Sequence, residues 1–118
     1  MRRKEIHKAA RDRIRECKWD ELGDLTVGGM AMEIGVSTPH LSRAFKREEG
    51  CTLQEYLINA KMEVAFWVLL RFPEYTVKEM ARKLGYESTS RFIRVFKKEN
   101  GSTPGNIRER GKRCKERD

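Results

Sequence analysis

Apolar residues recur along this chain at three- and four-residue steps, and they do so twice in the same order. Val27, Met30, Ala31 and Ile34 fall on one side of a helix, and beyond Gly35 so do Leu41, Ala44 and Phe45. Val77, Met80, Ala81 and Leu84 repeat the first set, and beyond Gly85 come Phe92, Val95 and Phe96. The offset between copies is 50 residues before the glycine and 51 after it, so the second turn carries one extra residue. Each block predicts two short helices joined by a tight glycine turn, a helix-turn-helix.

Polar residues sit where the ends of these helices need them. Thr26 and Thr76 precede the first helix of each copy as N-caps, and Glu79 completes a capping box with Thr76. Thr26 is followed instead by Gly28 and Gly29, each costing about 1 kcal/mol of helix propensity, so the first copy starts less firmly. Gly35 and Gly85 suit left-handed C-terminal residues, and Ser37 and Ser88 can cap the second helix of each copy. Those second helices end at Gly50 and Gly101.

Three further helices flank the repeat. Ile6, Ala10, Ile14 and Cys17 make a stripe near the N-terminus. "TLQEYLINAKMEVAFWVLLRF" opens with a capping box at Thr52 and Glu55 and is stopped by Phe72-Pro73. Thr103-Pro104 begins a last short helix, and the segment "GKRCKERD" after it has no apolar period. The expected fold is therefore all-α, with about seven helices and no strand. Two helix-turn-helix subdomains, about 25–50 and about 75–101, are joined by a long helix at about 53–71, and a frayed basic tail occupies about 111–118.

Composition narrows the chemistry. With 118 residues, 38% of them hydrophobic, the chain suits a single modest core. A net charge of +8 favours a polyanionic partner, nucleic acid or an anionic membrane, without choosing between them. The basic residues lie opposite short apolar faces already needed for a core, which argues against the membrane. No apolar run is long enough for a signal peptide or a membrane span, and Cys17, Cys51 and Cys114 have neither CxxC nor zinc-ligand spacing. A soluble protein of the reducing cytoplasm is expected.

Turning Leu41, Ala44 and Phe45 inward at about 100° per residue puts Pro39, Arg43, Lys46 and Arg47 outward, with Ser42 at the flank. The second copy projects Ser90, Arg94, Lys97 and Lys98, with Ile93 flanking. A helix fits the major groove, where one arginine can pair with both O6 and N7 of guanine, a role open to Arg43 and Arg94. Lys46, Arg47, Arg91, Lys97 and Lys98 are suited to phosphates instead. A lone basic run would more simply be a solvated face. Two such runs, each after a glycine turn, favour a groove.

The segments "GVSTPHLSRAFKREEGCTLQEYL", "KMEVAFWVLL" and "YTVKEMARKLGYESTSRFIRVFKKENGSTPGNIR" carry a resemblance to the DNA-binding region of AraC-type bacterial transcription regulators, over about residues 22–108. That resemblance implies double-stranded DNA as partner, with two recognition helices in successive major grooves linked by a rigid central helix. It implies base-facing roles for Thr38, Pro39, Ser42 and Arg43, and for Thr89, Ser90, Ile93 and Arg94. Pro39 donates no hydrogen bond and Ile93 offers only apolar contact, departures that weaken base discrimination. Similar proteins have an aromatic residue after the last proline, whereas "TPGNIR" has Ile107, which predicts a short or loose final helix.

The remaining candidates are few. Phe66 and Trp67 stand where similar proteins carry polar residues and are either core or a partner surface, with RNA polymerase or another subunit as the partner. His7 and His40 lack a second ligand at metal-binding spacing, and His40 is expected near phosphate or solvent. No nucleophile, phosphate-loop or metalloenzyme motif occurs, so neither catalysis nor a cofactor is expected. The family resemblance implies a separate effector-binding domain outside this stretch, unless the chain is a standalone regulator.

Overall fold

The computed structural model describes the backbone of residues 3–117 and the side chains of residues 5–113. Seven α-helices run in order: α1 (Arg3–Glu16), α2 (Val27–Ile34), α3 (Thr38–Glu49), α4 (Leu53–Arg71), α5 (Val77–Lys83), α6 (Thr89–Asn100) and α7 (Pro104–Arg117). Among the described residues there is no strand, as the apolar spacing predicts, but a 3₁₀ helix at Trp19–Asp24 fills the connection before α2. Its Leu22 is buried, a single anchor too short to register as a period.

The expected capping residues close their helices. Thr26 Oγ1 accepts from the Gly29 N–H at 2.9 Å, and Thr76 Oγ1 accepts from Glu79 at 3.0 Å. Ser37 and Ser88 accept from His40 and Arg91, each at 3.2 Å. Thr52 and Thr103 do the same for α4 and α7. Gly35 and Gly85 turn the chain with φ of 89° and 85°, left-handed angles at which any side chain would be strained.

The chain divides into two compact units, with the boundary between Ala60 and Lys61 inside α4. This corrects the single core that length and composition suggest. In the first unit α1 lies against α2 and α3, and α2 packs on α3. Its buried residues include Ile6, Ala10, Ile14, Met30, Ala31, Leu41, Ala44, Phe45, Leu53 and Leu57. Phe45 meets Tyr56 edge-on with ring centroids 5.5 Å apart, and Arg15 Nε donates to the Tyr56 hydroxyl at 3.0 Å. In the second unit α6 packs on α5 and α7. Met62, Ala65, Leu69, Met80, Ala81, Leu84, Phe92, Phe96 and Ile107 are buried there.

Two expectations need correction. Cys17 lies beyond the end of α1 and is only half-buried, whereas His7, off the expected stripe, is buried. The last helix is neither short nor ended at Gly111, since α7 runs fourteen residues to Arg117. The side chains of 114–118, and the residue Asp118 altogether, lie outside the described residues, as does the side chain of Cys114.

Gly111 is where α7 passes against the end of α4. A Cβ there would overlap the Leu70 carbonyl oxygen and stand 3.0 Å from its carbon. Without a side chain the two backbones close up, and the glycine that resembles a breaker in the sequence is a packing residue. Gly111→Ala is therefore expected to destabilise the second unit by about 1–3 kcal/mol through overpacking, although alanine is the better helix former. Urea denaturation checks the sign: a gain in stability would show that α7 does not approach Leu70 this closely.

Candidate nucleic-acid interface

The two repeat-equivalent helices α3 and α6 each have one buried and one exposed side. Leu41, Ala44 and Phe45 are at most 2% exposed, while Phe92 and Phe96 are fully buried. That burial fixes the rotation of each helix, so the opposite face is presented by default. On α3, Thr38, Pro39, Arg43, Lys46 and Arg47 are exposed and Ser42 is half-buried. On α6, Ser90, Arg91, Arg94, Lys97 and Lys98 are exposed, and Thr89 and Ile93 are half-buried. Val95, placed on the inward side by its spacing, is itself only half-buried.

Each outer face is polar at its start and basic at its end. Lys46 and Arg47 occupy the last turn of α3, and Lys97 and Lys98 that of α6, where cations favour the negative end of the helix dipole. Neither helix has an acidic residue in its first turn, where a carboxylate would compete with an anion for the positive helix end.

Residues outside these faces hold them in place. Glu49, the last residue of α3, accepts from His7 Nδ1 at 2.8 Å and from Arg11 Nη1 at 3.1 Å, both on α1. Three side chains from two separated stretches thus tie the end of α3 to its support. No sequence motif announces them, because the pairing spans about forty residues and exists only once α1 is docked. In the second unit Arg108 of α7 donates to the Pro73 carbonyl at 2.8 Å and to the Tyr75 carbonyl. These bonds fasten the loop that leads into α5. Tyr86 packs on Phe92 with centroids 5.7 Å apart, and burial raises its phenol pKa against the opposing charge of Arg91.

The first unit gathers Ser42, Arg43, Lys46 and Arg47 of α3 into one groove with Val27 of α2 and with Thr52, Leu53 and Gln54 at the start of α4. Val27 and Gln54 escape a reading of the recognition helix alone. The only sequence signal for them is the short Gly50–Cys51 turn, which brings the first turn of α4 beside the last turn of α3.

Trp67 on α4 is 46% exposed and stacks edge-on with half-buried Phe66 at 5.4 Å, and the Arg71 guanidinium lies 4.9 Å from the indole centroid. Phe72 is exposed to a similar degree. His40 is half-buried on the side of α3 next to the outer face.

Known proteins resemble the chain in both sequence and structure. A family model described as a helix-turn-helix domain matches residues 30–110. The chain is 33% identical over 87 residues to the probable transcription factor PqrA of Proteus vulgaris, covering 74% of this chain and 70% of PqrA. It is 37% identical, over 73% of its length, to the uncharacterized helix-turn-helix-type transcriptional regulator YtdP of Bacillus subtilis, of which it spans only 11%. In structure it is similar to the C-terminal domain of AraT, a response regulator from Geobacillus stearothermophilus. The TM-score is 0.76 at 32% identity, covering 88% of this chain and 84% of that domain.

Proposed function

Because this chain belongs to the AraC-type family of helix-turn-helix domains, we propose that it binds double-stranded DNA sequence-specifically and regulates transcription. The observation that carries this is the duplicated geometry: α3 and α6 stand at equivalent places in the repeat, each rotated by its buried face to present arginine and lysine outward. The single chain then does what a helix-turn-helix dimer does with two, offering one recognition helix to each of two major grooves. Arg43 and Arg94 read bases together with Thr38, Pro39, Ser42, Thr89, Ser90 and Ile93. Lys46, Arg47, Arg91, Lys97 and Lys98 neutralise phosphates.

On this reading the protein is a regulator with no reaction of its own, and it acts in the cytoplasm with its DNA. The chain spans 11% of YtdP and 70% of PqrA, and an effector-binding domain supplying its signal would lie outside these residues. No helix among the described residues is long and apolar enough to cross a membrane.

Salt titration of duplex binding tests the proposal. Log affinity should fall with log salt at a slope of about 0.9 per phosphate neutralised, and Lys46→Ala or Lys97→Ala should each lower the slope by about one while weakening all sequences alike. A second reading rests on exposed Trp67 and the half-buried Phe66 beside it: a docking surface on α4 for RNA polymerase or a partner subunit. If that were the main activity, affinity for the partner would scarcely change with salt and duplex binding would be negligible.

A further inference from the structure

The groove of the first unit has a composition that a phosphodiester backbone does not use fully. Its volume is about 700 Å³, within the range of sites that hold small molecules, about 300–1,000 Å³. Its surface is mainly carbon, and Val27, Leu53 and the long side chains of Arg43, Lys46 and Arg47, each an apolar stem with a cationic head, are among its lining. No Asp or Glu lines it. Thr52 accepts from the Glu55 N–H at 3.0 Å but keeps its own hydroxyl proton to donate, and Ser42 and Gln54 add polar groups. A phosphate would satisfy the cations and leave the carbon surface in water.

We propose that this groove binds a small aromatic carboxylate, a planar apolar body carrying one negative charge, and that its occupancy excludes DNA from α3. The occupant is set by charge and shape. A carboxylate pairs with a guanidinium through two parallel hydrogen bonds, and a flat ring stacks on guanidinium and packs against lysine methylenes. Arg43 serves both partners, so a bound carboxylate withdraws the base reader of the first unit and leaves α6 untouched. The exclusion rests on the DNA-binding function proposed above, whereas the binding of the carboxylate does not.

The probe is 2-naphthoate, with neutral 2-naphthamide as control, followed by backbone amide NMR shifts on the whole chain. Shifts are expected at Val27, Ser42, Arg43, Thr52 and Gln54, with the amide bound at least about tenfold more weakly because the charged pair is lost. Val27→Ala should weaken naphthoate about threefold by removing apolar wall. Adding duplex should displace naphthoate, read by recovery of the free ligand's own NMR signal. Shifts scattered over both units, or equal binding of acid and amide, would overturn the site. Simultaneous binding of naphthoate and duplex would overturn the exclusion. If duplex does not bind even without naphthoate, the DNA function and the exclusion fall together, while the mapped site stands.

Discussion

Phe92→Ala is expected to cost the second unit about 3–5 kcal/mol, the usual range for emptying a fully buried aromatic site. Phe92 is 0% exposed and lies in a row of rings, 5.7 Å from Tyr86 and 5.9 Å from Phe96 between centroids. Its ring fills the space under α6 that sets the helix's rotation. Removing it leaves a cavity between two other aromatic rings, which are too rigid to collapse into it. Duplex binding should weaken with stability, because Arg94, Lys97 and Lys98 are carried on the outer side of the same helix. Phe92→Leu, which keeps most of the volume, should lose less than about 1.5 kcal/mol. Urea unfolding of both variants gives the comparison, and equal losses would show that the site does not depend on ring volume.

Arg43→Ala and Arg94→Ala are expected to act on binding alone. Both arginines are exposed and neither contributes to a buried face, so the folded state should keep its stability within about 0.5 kcal/mol. Each should relax base preference in one half-site by about 1–3 kcal/mol, roughly 5- to 150-fold, and the two variants should affect different half-sites. The halves need not respond equally. Ile93 is half-buried beside Arg94 and offers the second site an apolar contact, whereas the first has Pro39, exposed and without an N–H to donate. Competition binding against single-base variants of a selected duplex measures this. Loss of overall affinity with full base preference retained would make both arginines phosphate contacts.

Much of this arrangement is legible before any coordinates, for identifiable reasons. Helix ends are local: Thr26, Ser37, Thr52, Thr76, Ser88 and Thr103 cap within three residues of themselves, so short stretches of sequence suffice. The outward faces of α3 and α6 are set by the rotation that Leu41, Phe45, Phe92 and Phe96 impose. What stays hidden depends on where distant elements meet. Gly111 is indistinguishable from a breaker until α7 lies on Leu70, and His7 looks like a surface residue until Glu49, held also by Arg11, meets it. The groove at α3 is of the same kind, since Val27 and Gln54 join it from two other helices. The division inside α4 is hidden too, because a continuous helical period carries no mark at Ala60.

If one chain reads two unlike half-sites with two recognition helices, selection from random duplexes followed by footprinting should show both halves at once. The expected product is a pair of directly repeated, non-identical half-sites with centres about 10–10.5 base pairs apart, both protected on one face of the duplex. Equal affinity for every duplex, or protection confined to a single major groove, would contradict it.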